Sequence, residues 1–211
     1  AEQFGGRWTF DGDRVLPFRW TGPGGHVMER IPLWVPHGKW YVSMDYGYLD
    51  PAVVGFWSVG TDGQIVLAAE IYETKLDHGD LSKRILAKKE ELRIQWSGVY
   101  SDPQEPNLES ELRKHKIPVF NVNKKKQRDR KAGFMKLIHV LTPQRETGQP
   151  LLHVLSEKVG SPYGCPKTIA EWKGLRKRDN IRVDPWSHGA WVGDDHALAL
   201  REAGEDLHAL A

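Results

Sequence analysis

This chain has one cysteine, Cys165, among 211 residues. That excludes an intramolecular disulfide and any zinc site built on several thiolates, and it fits a reducing compartment. No apolar run approaches the ~20 residues that a membrane-spanning helix needs, and no signal-peptide pattern opens the chain. A G-x-x-x-x-G-K-S/T phosphate loop is missing, so ATP hydrolysis is not expected of these residues. The nine histidines are scattered without H-E-x-x-H or another paired spacing. They read as surface or packing residues, apart from His196, which directly follows two acids. Charge of one sign is also lacking overall. The formal net charge is only +2, so any basic surface must come from local clustering. What remains is a chain long enough for one large domain with its own core.

The first 38 residues are rich in Gly, Pro and Trp and carry no periodicity, which reads as an irregular N-terminal arm over 1–38, followed by one domain over 39–211. Strands are expected at about 40–46 and 52–59, then at Ile65–Tyr72 after the turn Thr61-Asp62-Gly63-Gln64. These three would form an antiparallel meander. Ile85, Leu86, Leu92 and Trp96 fall on helical spacing and predict an amphipathic helix over Ser82–Trp96. A short strand over Gly98–Pro103, a helix over Glu105–His115 with Leu108 and Leu112 on one side, and a strand over Pro118–Val122 follow. The apolar runs Phe134–Leu141 and Leu151–Leu155, parted by Pro143–Pro150, read as a helix running into a strand with a hairpin return. Thr168–Leu175 predicts a short helix with Thr168 and Glu171 at capping-box spacing, and 195–210 a final helix. Meander, helix, strand, helix, strand is the order of an α/β sheet with helices on its faces.

Acids stand where these elements begin or end. Asp45 sits in the β-prone run Tyr41-Val42-Ser43-Met44-Asp45-Tyr46-Gly47-Tyr48, against the local preference. Two readings fit it: a turn aspartate closing a hairpin, or a metal ligand on a rigid strand beside glycine. Asp102 ends the Gly98 strand, and the pair Asp194-Asp195 precedes the last helix. If these carboxylates meet in space they repel one another unless cations neutralise them. Oxygen-only ligands select Mg²⁺ or Mn²⁺. Two such ions about 3.5–4 Å apart suit phosphodiester hydrolysis.

Cations concentrate in two places. Asn123–Lys131 holds Lys124, Lys125, Lys126, Arg128, Arg130 and Lys131 against the single acid Asp129. Arg176, Lys177 and Arg178 follow Trp172 and Lys173. A solvated face and a surface for nucleic-acid backbone both fit such runs; their concentration in a nearly neutral chain favours the second.

Met44-Asp45-Tyr46-Gly47 through Asp50-Pro51-Ala52-Val53-Val54, Val66 through Glu70, Ser101-Asp102-Pro103 with the helix that follows, Val119 to Lys126, and Gly193-Asp194-Asp195-His196-Ala197-Leu198 together resemble the nuclease domain of phage terminase large subunits. The resemblance implies an RNase H-like fold: a central mixed sheet, an antiparallel meander and then parallel strands, flanked by helices, with an additional β-hairpin. It implies a metal-dependent endonuclease that cuts concatemeric viral double-stranded DNA during genome packaging. Asp45, Asp102 and Asp195 match its catalytic acids, with Asp194 as a further metal ligand and two Mg²⁺ or Mn²⁺ ions per site. Asp45 would bridge the two ions. Glu70 matches a position where the family often has glutamate and reads as a supporting residue. Where the family commonly carries a further aspartate a turn into the last helix, this chain has Ala199-Leu200-Arg201-Glu202, so Asp194 or Asp195 must serve instead. The implied DNA contacts are Lys124, Lys125, Lys126, Arg128, Arg130, Arg176, Lys177 and Arg178. An ATPase domain is expected ahead of Ala1 in the same polypeptide, with a portal and a small terminase subunit as partners, in the cytoplasm of an infected host cell. A Holliday-junction resolvase of the same fold and a non-catalytic DNA-binding module of a packaging motor are the alternatives.

Overall fold

The computed structural model describes residues 16, 19, 25–101, 106–121 and 130–174. Among these, seven strands form one mixed sheet: β1 (Val27–Met28), β2 (Lys39–Asp45), β3 (Ala52–Val59), β4 (Ile65–Glu73), β5 (Trp96–Ser101), β6 (Val119–Asn121) and β7 (Leu152–Leu155). Their order across the sheet is β1-β7-β4-β3-β2-β5-β6. Only β3 runs against the rest: β2 and β4 flank it antiparallel, while the β1–β7, β7–β4, β2–β5 and β5–β6 pairs are parallel. This is the α/β architecture of an antiparallel meander extended by parallel strands, as in RNase H-like proteins.

Among the described residues, four α-helices cover the sheet: α1 (His78–Leu92), α2 (Pro106–Lys114), α3 (Arg130–Leu141) and α4 (Pro166–Gly174). Alternation along β2 divides its side chains between two cores. Trp40, Val42 and Met44 pack with Leu81 and Ile85 of α1 and Leu108 and Leu112 of α2. Tyr41 on the other face packs with Trp57, Leu67, Leu137 and Leu141 of α3, and Ile169 and Trp172 of α4. Every residue of β3 is buried. That explains why Ala52–Trp57 reads as a nearly continuous apolar run: the strand has no solvent-facing side. Trp57 Nε1 donates to Ser43 Oγ at 2.9 Å, satisfying two polar groups inside the second core.

The boundaries of α1 differ from the spacing-based expectation of 82–96. Asp77 caps the helix at its N-terminus, its Oδ1 accepting from the Asp80 amide at 2.7 Å, so the helix starts at His78. Arg93 takes a left-handed conformation (φ 55°) and ends it. Trp96 therefore opens β5, although it lies four residues past Leu92 as a helical position would. The hairpin expected within 131–158 is not formed among the described residues. The first apolar run is helix α3, and the second is β7, inserted into the main sheet between β4 and β1. Part of the stretch read as an irregular arm also joins the sheet. Val27 and Met28 pair in parallel with Val154 and Leu155, and Val35 is buried in the first core. Two paired residues flanked by Gly and Pro leave no periodicity to read. The last helix expected at 195–210 lies outside the described residues.

Candidate functional site

Asp45 is the last residue of β2 and is half-buried. It stands opposite Val53 of β3, which stands opposite Tyr72 of β4. Two residues back along the strands, Ser43, Gly55 and Glu70 form the next row. Residues opposed across antiparallel strands share a face, so Asp45, Tyr72 and Glu70 all belong to the face covered by α3 and α4. On the other side of β2, Ser43 pairs with Tyr100 and Met44 with Ser101 of β5. β2 and β5 are parallel, so Asp45 and Ser101 mark the carboxyl ends of neighbouring strands on one edge of the sheet. β6 ends at the same edge, Asn121 being paired with Ser101. Carboxyl ends of strands in α/β sheets are where ligand sites form.

Glu70 anchors a helix. Its Oε1 accepts from the Lys167 amide at 2.7 Å, and its Oε2 accepts from the Thr168 amide at 2.9 Å and from Thr168 Oγ1 at 2.6 Å. The carboxylate thus caps the N-terminus of α4 from a strand 97 residues away, satisfying amides that have no partner within the helix. Burial pushes the Glu70 carboxyl above its ordinary value, against the pull of these bonds. Thr168 and Glu171 do not form the capping box that their spacing suggests: Thr168 donates to Glu70, and Glu171 accepts from the Tyr72 hydroxyl. Burial also raises the Glu171 carboxyl and the Tyr72 hydroxyl. Glu70, Tyr72 and Glu171 form a band of polar groups along the face of Asp45. Glu70 is expected from the sequence as a supporting residue; Tyr72 and its bond to Glu171 are not, and their sequence signal is the Glu70/Tyr72 spacing of two on a strand.

Both Glu70 oxygens are engaged by α4, which is the supporting role expected for it. Among the described residues no three His, Cys, Asp or Glu side chains are grouped to hold a metal ion. Of the candidate acids only Asp45 is described. Asp102, Asp194 and Asp195 lie outside the described residues, as do Lys124, Lys125, Lys126, Arg128, Arg176, Lys177 and Arg178. Arg130 is the first residue of α3. Trp172, read beside the second basic cluster, is buried in the α3/α4 core; its ring packs the fold and is not offered to a nucleic acid.

No protein-family model matches the chain, and no curated protein sequence matches it. Solved structures do. The nuclease domain of the P22 large terminase aligns with a TM-score of 0.59 at 9% identity, covering 89% of this chain and 95% of that one. The nuclease domain of the SPP1 large terminase g2p, crystallised with bound Mn, aligns at 0.55 and 14% identity, covering 86% and 99%. The large terminase of a thermophilic bacteriophage, in complex with ADP, aligns at 0.57 and 18%, covering 82% of this chain and 41% of that one. The chain therefore spans well under half the length of the thermophilic phage protein and nearly all of the two isolated nuclease domains. The fold is that of the nuclease domain of phage large terminases.

Proposed function

We propose that this protein is a metal-dependent DNA endonuclease that cuts concatemeric viral double-stranded DNA during genome packaging. The observation that carries the reading is the register of β2 and β5. Asp45 and Ser101 end adjacent parallel strands on one edge, and Asp102 is the next residue after Ser101. Asp45 and Asp102, with Asp194 or Asp195, form a hard-oxygen donor set suited to two Mg²⁺ or Mn²⁺ ions. When bound, such ions supply an activated water and neutralise charge on the departing oxygen. The half-buried Asp45 suits this role, since its strand backbone is fixed by pairing on both sides while its carboxylate stays within reach of solvent. The Mn bound to the SPP1 nuclease domain supports the same chemistry here.

Lys124–Lys126, Arg128 and Arg130 follow β6 in sequence, and β6 ends on the edge of Asp45. In this reading they hold phosphates, with Arg176, Lys177 and Arg178 as a second set, and base specificity is low because phosphate contacts carry no sequence information. An ATPase domain in the same polypeptide, a portal and a small terminase subunit are the partners this function calls for. The deciding experiment is plasmid nicking with Mn²⁺, with Mg²⁺ and with EDTA, beside Asp45→Ala. Metal-dependent cutting that vanishes in the variant is the expected result. Full cutting by Asp45→Ala refutes the assignment. Cutting confined to four-way junctions would make the protein a resolvase instead.

A further inference from the structure

β1 is the shortest of the described strands and is held lightly. Its register with β7 comprises two pairs, Val27 with Val154 and Met28 with Leu155. Two amides of the β7 segment cross to it: Val154 N–H donates to the His26 carbonyl at 2.8 Å, and Ser156 N–H to the Met28 carbonyl at 2.9 Å. Val27 and Met28 are only half-buried. The Glu29–Lys158 ion pair just beyond them is exposed and adds little. What fastens this edge further is a pair of buried histidines. The Arg19 amide donates to His26 Nδ1 at 2.8 Å, and His26 Nε2–H donates to the Leu141 carbonyl at the end of α3 at 2.7 Å. The ring thereby ties the chain ahead of β1 to α3. Accepting at Nδ1 requires a neutral imidazole. His153, also buried, stands one residue before Val154 as His26 stands one before Val27, so the two are level on adjacent parallel strands.

A proton on His26 Nδ1 ends the bond from the Arg19 amide. It leaves that nitrogen the Arg19 carbonyl, 3.1 Å away and already accepting from the His26 amide at 2.9 Å. A proton on His153 sets its charge against His26, and Arg19 opposes charge on His26. The elements packed on the pair offer little in return. α3 presents the Leu141 carbonyl, β4 places Val66 opposite His153, and Glu29 is engaged by Lys158. Backbone hydrogen bonds with Leu141 and Arg19 favour a charged His26, as those with Gly25 and Pro150 favour a charged His153. Burial outweighs them and holds both rings below their ordinary value. We propose that His26 and His153 form an acid-sensitive latch: protonating the two rings releases β1 and bares the outer edge of β7, while the rest of the sheet stays paired. The latch does not depend on the nuclease reading.

Amide hydrogen exchange of the whole chain, read residue by residue by NMR between about pH 5 and 7.5, tests the latch. The probes are the Val154 and Ser156 amides, which donate to β1. Their protection factors, corrected for the intrinsic pH dependence of exchange, should fall as pH drops below the ordinary histidine value of 6.5. The fall is up to about tenfold per pH unit for each ring, so up to about a hundredfold for both, and it levels off once the folded rings are charged. In low urea these two amides should exchange almost independently of denaturant, the mark of a local opening. Val54 and Phe56 of β3 should exchange only through an opening that urea strongly promotes. The imidazole resonances of His26 and His153 should titrate below 6.5. His153→Gln should cut the response to at most about tenfold per unit, and replacing the exposed His139 of α3 with Gln should leave it unchanged. Val154 and Ser156 amides that share the urea dependence of Val54 would overturn the proposal, because β1 would then open only with the whole fold. Protection that does not change with pH, or rings that titrate at or above 6.5, would overturn it equally.

Discussion

Replacing Glu70 with alanine removes a cap that no other residue of α4 can supply. Three hydrogen bonds, from the Lys167 amide, the Thr168 amide and Thr168 Oγ1, lose their acceptor. Each is worth about 1 kcal/mol net, about 3 kcal/mol as a simple sum, which exceeds the roughly 2 kcal/mol at the upper end for helix caps. The sum is reduced because the buried carboxylate is itself unfavourable, burial holding its pKa above the ordinary value. The expected net loss is about 2 kcal/mol, a fall in melting temperature of roughly 6 °C for a chain of this size. Glu70→Gln should lose less, because it keeps one oxygen acceptor and sheds the charge, but it turns an amide NH₂ toward one of the α4 donors. Differential scanning calorimetry of the three proteins checks the order wild type, Gln, Ala. A second readout separates a cap from a ligand. If Mn²⁺ raises the melting temperature of the wild type, it should raise that of Glu70→Ala by the same amount. An unchanged melting temperature in Glu70→Ala, or loss of the Mn²⁺ increment alone, would refute the assignment of both oxygens to α4.

Asp45→Asn should abolish the Mn²⁺-dependent rise in melting temperature, which at about 100 Kd of free ion corresponds to ~2.7 kcal/mol for a ligand bound only by the folded state. In EDTA the same variant should be at least as stable as wild type, through relief of carboxylate repulsion; a loss of stability there would make Asp45 a structural residue. His26 and His153 set a pH dependence at the β1–β7 edge. Both are buried, and burial lowers both below the ordinary 6.5, with each further opposed by a neighbouring positive charge: Arg19 for His26, and His26 for His153. The unfolded chain then binds protons that the folded chain does not, so stability is full above about pH 6.5 and falls as pH drops below it, by up to ~1.4 kcal/mol per pH unit for each histidine. Urea denaturation between about pH 5 and 7 should show a shallower slope in His153→Gln than in wild type; identical slopes would exclude the buried pair as the cause.

Much of this protein can be read from residues near one another in the chain. The β3–β4 turn follows from Thr61-Asp62-Gly63, where Gly63 takes φ 80° and Asp62 Oδ1 accepts from the Gln64 amide at 3.1 Å. The amphipathic faces of α1 and α2 follow from Leu81, Ile85, Leu108 and Leu112, because a helix repeats every ~3.6 residues whatever it packs against. Asp45 is conspicuous as an acid ending a β-prone run, a local contradiction that sequence alone exposes. Long-range pairing is different in kind. That β7 inserts between β4 and β1, that Glu70 caps a helix beginning nearly a hundred residues later, and that Glu171 meets Tyr72 are set by the order of strands across the sheet. Local periodicity is silent about that order. It depends on which apolar faces bury most surface together once the chain is compact, and on which buried donors then find an acceptor. Only the folded sheet brings Asp45 level with Tyr72, and β2 to the same edge as Ser101.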